Sequence, residues 1–458
     1  MKRALALMVL LAAAAVGGAL AYQAAARERD YRQQLGRGDA ALHDGKTFDA
    51  LEAYTEAIAL RPDSMLAYLR RGETYLQRPD LDAAAHDFVK AAAIDPSATR
   101  PPEDLGDVQY RRQRFQQAAE NYEARLRLDD RSADVTYKLA LARYRAGDLD
   151  GALTALGQSL KLNDQLADAY YLRGMCLRDQ HHLREALDAF ERAVALAPAA
   201  ILPREELADV YGALDRRTDE IAQLQVLAAL DGDHVERQVA LGLAHARAGH
   251  WDLAVVTLGS ALERTPNDPL VYRALGQVWL DRPRDRSDRV YLSKAREALE
   301  RVASSPTATS DILALYGRAL LEDGDVDGAE RTLQEAVTRY PVDNSAFLAY
   351  ATVAERQNHF EAARRALVSY DAIVSAEADF PARAARIAAL SLRLNDAATA
   401  VTWLQRAADA APNDVRTLAA LADAQFRAGD RAGATATIER GLQKDPKNAA
   451  LQAVARRR

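Results

Sequence analysis

Cysteine is nearly absent from this chain of 458 residues, which contains only Cys176. A single cysteine cannot form an intramolecular disulfide, and it cannot supply the thiolates of a Cys-based zinc site or an iron–sulfur cluster. Proline and glycine are also scarce, with 15 and 23 residues, which argues against long disordered or collagen-like segments. These shortages indicate a folded chain that is not cross-linked within itself.

The chain also lacks a large excess of positive or negative charge. The chain has 60 Lys and Arg against 66 Asp and Glu, which gives a formal net charge of −6, and it contains no long basic block. We therefore expect no nucleic-acid partner bound through bulk charge. Hydrophobic residues make up 49% and charged residues 28%, values typical of a folded soluble body and too polar for a protein with several membrane spans.

A long apolar run stands at the N-terminus. Ala4–Tyr22 comprises 19 residues without a charge and follows Lys2 and Arg3. Residues 1–30 therefore predict a signal-anchor helix or a signal peptide cleaved near residues 19–21. In both cases the repeat body lies outside the cytoplasm, in a bacterial-type cell envelope. We favour a single-pass inner-membrane anchor, because the following residues continue as good helix formers; cleavage would give a periplasmic or secreted protein.

A 34-residue period runs through the rest of the chain. Alanine recurs at this step, an apolar or aromatic residue follows four positions later, and a glycine or alanine lies twelve positions earlier. The alanines are Ala50, Ala84, Ala118, Ala152 and Ala186, the later positions are Tyr54, Phe88, Tyr122, Leu156 and Phe190, and the earlier positions are Gly38, Gly72, Gly106, Ala140 and Gly174. A fixed period of this length is typical of repeat proteins.

The period also predicts the domain organisation. Twelve repeats cover residues 31–448 when two interruptions are allowed, with seven extra residues within 281–288 and three near 378–380. The remaining residues, 449–458, are predicted to be a short polar C-terminal tail.

Each repeat is predicted to be a helix, a turn and a second helix. In residues 241–266, apolar side chains recur at three- and four-residue spacing on both sides of Gly249, and Pro266 ends the second helix. A glycine at the turn suits a left-handed helix end. This slot recurs as Gly45, Gly147, Gly249, Gly324 and Gly429. The fold class is therefore predicted to be all-α.

The small, aromatic and proline positions resemble those of the tetratricopeptide repeat, which has the same 34-residue period. The resemblance covers about nine tenths of the chain, although the tryptophan position of the family pattern is mostly occupied by other residues. It implies a right-handed superhelical solenoid in which the first helices line a concave groove. It also implies that this groove binds peptides or extended segments of partner proteins.

The expected groove positions of the third to fifth repeats combine aromatic and basic side chains, which concentrate binding energy at protein interfaces. The candidate partner-binding residues are Tyr110, Arg111, Tyr137, Tyr144, Arg145, Tyr171, Met175 and Arg178. In the alternative interpretation, the tyrosines serve helix packing and the arginines are only solvated.

No motif points to a cofactor or a metal ion. Residues 40–47 end in Gly-Lys-Thr like a phosphate-binding loop, but a helix rather than a strand precedes them. Residues 323–328 match the first half of a calcium loop, but Gln334 stands where a bidentate glutamate is required. A similar turn at Asp148 favours helix capping as the role of these aspartates. We therefore predict no cofactor, no metal site and no catalytic residue.

The sequence thus predicts an exported or membrane-anchored scaffold that binds partner proteins or peptides during assembly of an envelope complex. An alternative is an envelope protein that handles polysaccharide or lipid polymers through Tyr137, Tyr144 and Tyr171. An enzyme is less favoured, because no inserted segment exceeds seven residues.

Overall fold

The computed structural model describes residues 2–283, 288–374 and 379–456. Within these ranges the chain forms 25 α-helices and no β-strand, which confirms the predicted all-α fold class. The extra residues predicted at 281–288 and near 378–380 fall partly outside the described ranges, and Met1 lies outside them as well.

The helices form two compact units, residues 1–223 and residues 224–458. In each unit, a helix packs most extensively against the next helix to form a pair, and each pair then packs against the following one. Contacts therefore connect neighbours along the chain, as expected when one helix pair is too small to bury its own apolar face.

Unit 1 is built from helix pairs that repeat in chain order. These helices are α1 (Lys2–His43) with α2 (Thr47–Leu60), α3 (Met65–Gln77) with α4 (Leu81–Ile94), α5 (Arg100–Arg111) with α6 (Phe115–Leu128), α7 (Ala133–Arg145) with α8 (Leu149–Leu162), α9 (Ala167–Asp179) with α10 (Leu183–Leu196), followed by α11 (Ile201–Ala213) and α12 (Arg217–Leu230). The boundary between the units falls inside α12.

Unit 2 continues the same order and ends with one additional helix. Its helices are α13 (Val235–Arg247) with α14 (Trp251–Arg264), α15 (Pro269–Asp281) with α16 (Asp288–Ala303), α17 (Ser310–Asp323) with α18 (Val326–Ala336), α19 (Asn344–Arg356) with α20 (Phe360–Ile373), α21 (Phe380–Arg393) with α22 (Ala397–Ala410), α23 (Val415–Arg427) with α24 (Arg431–Lys444), and α25 (Ala449–Ala455).

Left-handed backbone recurs at the turn inside the helix pairs. The glycines predicted for this slot adopt it, with φ angles from +72° to +94°: Gly45, Gly147, Gly249, Gly324 and Gly429. Gln113, His181 and Asp215 occupy the same slot at multiples of 34 residues from Gly45, with φ angles of 59°, 62° and 60°. The geometry of the turn is therefore kept even where glycine is replaced.

Small residues on the first helix of a pair let the second helix approach closely. A Cβ added at Gly72 would lie 2.7 Å from the ring of Phe88, and one added at Gly174 would lie 2.5 Å from the ring of Phe190. Both rings are fully buried. The glycine and the aromatic ring thus form one packing unit, which sets the spacing between the two helices.

The aspartates of the calcium-like turns cap helices, as the sequence suggested. Asp325 precedes α18 and accepts a hydrogen bond from the backbone N–H of Gly328 at 2.9 Å. Asp148 caps α8 in the same way, through the N–H of Gly151 at 2.9 Å. Each carboxylate satisfies a backbone donor that the first helical turn leaves unpaired.

The C-terminal segment differs from the predicted polar tail. Ala449–Ala455 form helix α25, in which the Asn448 side chain accepts a hydrogen bond from the N–H of Leu451 at 3.2 Å. Leu451 is fully buried and packs with Ile438 and Ala422. The tail is thus corrected to a short helix, because its two apolar side chains cover surface that α23 and α24 present at the end of the unit.

Helix α1 contains the apolar run and continues into the first repeat. Over residues 2–283, 288–374 and 379–456, no helix combines the length and the apolar character needed to cross a lipid bilayer.

Candidate protein-binding surface

The candidate residues lie on three first helices of unit 1. Helix α5 carries Tyr110 and Arg111 at its end, α7 carries Tyr137, Tyr144 and Arg145, and α9 carries Tyr171, Met175 and Arg178. The 34-residue period places Tyr137 and Tyr171 at the same position of adjacent repeats. The structure therefore distributes the predicted set over consecutive helix pairs.

Three tyrosine rings, those of Tyr110, Tyr137 and Tyr171, form what we call the tyrosine strip. All three rings are half-buried. Burial raises the pKa of Tyr137 to about 12, with smaller contributions from the charges of Asp168, Tyr110 and Tyr171. The strip thus crosses α5, α7 and α9 in that order.

Each ring of the strip packs on one side against the apolar core. Tyr110 and Tyr137 pack against the cluster that contains Leu139 and Leu156, and Tyr110 also meets Phe115 edge-on at 5.3 Å between ring centroids. Tyr171 packs against the next cluster, where its ring centroid lies 6.1 Å from that of Phe190. One face of the strip is therefore fixed, which limits the entropy that a partner would have to remove on binding.

The hydroxyl groups of the strip are free. Within the described residues, the hydroxyls of Tyr110, Tyr137 and Tyr171 form no hydrogen bond. By contrast, the buried Tyr54 donates to Asp39 at 2.7 Å, and the buried Tyr122 donates to Asp107 at 2.7 Å. Because a tyrosine used for packing usually pairs its hydroxyl, the strip differs from the structural tyrosines of the same unit.

Two of the predicted residues are engaged inside the protein. The Tyr144 hydroxyl donates to the carboxylate of Asp179 at 2.9 Å, and burial followed by this hydrogen bond raises the pKa of Tyr144 to about 12. Arg178 bonds Glu206 on α11 and also contacts Asp179 at 2.8 Å. These side chains link adjacent repeats, so we assign them to positioning the helices rather than to free partner contacts.

The other predicted arginines remain exposed. Arg111 and Arg145 stand at the last positions of α5 and α7, and within the described part of the chain neither forms an ion pair. The predicted set therefore separates into the tyrosine strip with the exposed arginines, the two bridging residues Tyr144 and Arg178, and Met175, which packs against the core cluster that contains Phe190.

Carboxylates on α5 border one side of the strip. Lys138 of α7 donates to Glu103 at 3.0 Å and to Asp107 at 2.8 Å, so these two acids are paired. Asp104 lies between them in sequence but has no hydrogen-bond partner for its buried Oδ2 atom. Burial raises the pKa of Asp104 to about 7, Arg100 opposes this shift, and the nearby carboxylates, Glu73 among them, increase it.

Carboxylates on α11 border the other side. Glu205, Glu206 and Asp209 occupy this helix, and Arg178 is already bonded to Glu206. Burial raises the pKa of Asp209, and the charges of Glu206 and Glu205 add to the shift. Asp209 forms no hydrogen bond or ion pair with any other described residue. Repeat periodicity did not single out Asp104 or Asp209, because a lone acidic residue on a helix is usually solvated.

Comparison with solved structures finds similar folds at low sequence identity. Tom70 from yeast is 14% identical, with 94% of this chain and 99% of that chain covered and a TM-score of 0.44. The pilF protein of Pseudomonas aeruginosa is 17% identical, with 46% and 97% covered and a TM-score of 0.39. YrrB, described as a TPR protein with an unusual peptide-binding site, is 23% identical, with 41% and 97% covered and a TM-score of 0.37.

Comparison with protein families finds a repeat in both units. Profiles described as tetratricopeptide repeat match residues 35–99, 103–166, 137–201, 235–278, 289–344 and 315–372. The matched residues make up more than half of the chain and include the tyrosine strip. No curated protein matches the chain.

Proposed function

The chain belongs to the tetratricopeptide repeat family, and from this premise we propose that it is a scaffold, not an enzyme, that binds an extended segment of a partner protein across α5, α7 and α9. Proteins of this family generally act as non-catalytic interaction scaffolds, and the first helices supply the binding face. The tyrosine strip is the part of that face with the most aromatic surface among the predicted residues.

The free hydroxyls of Tyr137 and Tyr171 carry this proposal. A half-buried tyrosine with an unpaired hydroxyl offers a partner both apolar ring surface and a hydrogen-bonding group. Tyrosine is also among the residues that dominate binding energy at protein interfaces. The rings sit at equivalent positions of adjacent repeats, so an extended chain can contact them in succession.

We further propose that the body acts outside the cytoplasm, in the assembly of an envelope complex. The basic start, Lys2 and Arg3, and the apolar run that follows support export or anchoring. With the N-terminal segment uncleaved, the scaffold would remain tethered to the inner membrane and recruit partners at its outer face.

Cross-linking in spheroplasts tests binding and location together. The wild-type chain and a Tyr137→Ala/Tyr171→Ala variant would be treated with a membrane-impermeant or a membrane-permeant cross-linker, and captured proteins quantified. We expect capture with the impermeant reagent, and a loss of about tenfold or more in the double variant, because each tyrosine is expected to contribute at least about 1 kcal/mol. The matched control is Tyr340→Ala in unit 2, whose side chain is 92% exposed.

The possible results of this experiment test the binding surface and the location separately. Capture that is unchanged in the double variant, with thermal unfolding like that of wild type, would refute the binding surface. Capture with the permeant reagent alone would refute the location and leave the scaffold intact. Binding to a glycan array that is lost in the double variant would favour the polysaccharide alternative.

A further inference from the structure

The chemistry of the partner can be inferred from the charges around the tyrosine strip. The strip presents three aromatic rings, and carboxylates lie on α5, where the strip begins, and on α11, the first helix after its last ring. A surface with this pattern is complementary to a chain that is apolar in its middle and positively charged on both sides.

The cations around Asp104 of α5 already pair with other carboxylates. Arg70 donates to Glu73 at 3.1 Å, Arg100 contacts Glu73 at 2.7 Å, and Lys138 bridges Glu103 and Asp107. Among the described residues, Asp104 forms an ion pair with Arg100 alone, at 3.7 Å, which is too long for a hydrogen bond. Asp104 is therefore the carboxylate of this flank that gains most from an added cation.

On α11, Asp209 is exposed and forms no hydrogen bond or ion pair with any other described residue. Arg178 of α9, whose charge acts on Asp209, bonds Glu206 and Asp179. Asp209 is left beside two further carboxylates, which disfavour its ionised form. A cation placed there would be attracted by several negative charges at once.

Resting on the proposed function, we propose that the partner segment is extended and basic: a Lys or Arg at each end contacts Asp104 and Asp209, and apolar residues between them lie over the tyrosine strip. The two carboxylates are separated by three helix-to-helix steps, from α5 to α11. At about 10 Å a step, the separation is roughly 30 Å, which an extended chain of about nine residues spans.

The exposed residues Arg111 and Arg145 would favour a partner segment of the opposite charge, with acidic ends. Arg111 follows Asp104 by seven residues and so lies about 10 Å further along α5. Arg145 has the equivalent place on α7. A segment with acidic ends would be drawn toward these arginines instead of the two aspartates, so the sign of the preferred charge distinguishes the two modes.

Fluorescence polarisation with three labelled peptides tests this inference on the full chain. Each probe is a peptide of about nine Ala, Leu and Tyr residues, long enough to span the flanks, with Arg, Gln or Glu at both ends. We expect the Arg-ended peptide to bind at least about tenfold more tightly than the other two, and its affinity to fall as salt is raised. Asp104→Asn/Asp209→Asn should remove this preference, by raising the Kd of the Arg-ended peptide about tenfold.

A matched variant controls for the loss of net charge. Glu120→Gln/Asp188→Asn makes the same change on exposed residues of the second helices α6 and α10, and should leave the Kd unaltered. Tighter binding of the Glu-ended peptide, equal binding of all three, or no binding would each overturn the inference. The cross-linking experiment decides the proposed function independently, because it depends on the tyrosines and on natural partners.

Discussion

At the scale of single residues, the turn inside helix pairs such as α7–α8 depends on one left-handed position. An L-residue other than glycine in this conformation costs roughly 1–2 kcal/mol, because its Cβ crowds the following carbonyl oxygen. Gly147 adopts φ +84°, and a Cβ there would meet no other atom within 4 Å. The cost of replacing this glycine is therefore conformational and not steric contact with a neighbouring helix.

We predict that Gly147→Ala lowers the stability of the α7–α8 pair by about 1 kcal/mol, because alanine disfavours positive φ. Gly157→Ala in α8 is the matched control: its Cβ also has open space, but the backbone is helical. That variant should be more stable than wild type by about 0.5–1 kcal/mol. Thermal unfolding followed by circular dichroism measures both, and shifts of the same sign would contradict the explanation.

The carboxyl of Asp104 gives a second residue-level prediction. Its pKa rises from the ordinary 3.8 to about 7 in the folded chain, so the folded state holds the proton more tightly than the unfolded state. Protonation therefore stabilises the fold fully below about pH 4, and this contribution is lost as the pH rises to about 7. We expect Asp104→Asn, which cannot ionise, to gain thermal stability relative to wild type over this interval.

The measurement is the difference in unfolding midpoint between Asp104→Asn and wild type at several pH values. Other titrating groups are common to both chains and cancel in the difference. A difference that stays constant between about pH 4.5 and about pH 8 would show that Asp104 titrates normally.

Residue identity alone predicted the helical face of the site but not its bonding. The period predicted first-helix positions for Tyr137, Tyr144 and Tyr171, which lie on α7 and α9. It could not show that the Tyr144 hydroxyl meets Asp179, because that contact depends on the register between α7 and α9. Left-handed positions at Gln113 and His181 were missed for a related reason, since glycine and asparagine, but not these residue types, signal this conformation in a sequence.

At the scale of elements, a small residue on the first helix that faces a large side chain on the second explains how closely the two helices of a pair approach. Gly106 faces the ring of Tyr122, and a Cβ at that glycine would lie 2.5 Å from the ring. Where the small position is Ala140, the partner four residues beyond the alanine repeat is the smaller Leu156. Glycine also faces leucine, as at Gly242 and Leu258, so the small residue on the first helix is the feature that the pairs share, and this pattern was sufficient to predict them.

The C-terminal helix α25 is an element that the repeat pattern could not predict. Residues 449–455 are too short to display a helical period, and the basic residues after them suggested a solvated tail. What fixes α25 is an external surface: Leu451 and Val454 pack on Ile438 and Ala419. A helix pair buries its apolar face against a neighbouring element, and α25 covers that face of α23 and α24.

At the scale of the whole molecule, the free energy of unfolding is approximately the sum of contributions from single repeats and from the contacts between neighbouring repeats. Contacts within each unit join a helix to its pair and to the adjacent pair, so stabilising free energy is not shared directly between distant repeats. Local opening can then occur without unfolding of the remaining repeats. A partner bound across α5, α7 and α9 would accordingly stabilise those pairs first.

Hydrogen exchange of a core variant tests this local coupling. Phe88 of α4 is fully buried against Gly72, so Phe88→Ala should destabilise its surroundings by about 3–5 kcal/mol. We expect faster amide exchange in α3 to α6, whose helices pack in sequence, and unchanged exchange in α17 to α24. Val89→Ala is the control, because the adjacent side chain is 52% exposed and should alter exchange little. Uniform acceleration across both units would show that the chain unfolds as one cooperative body and not by neighbouring repeats.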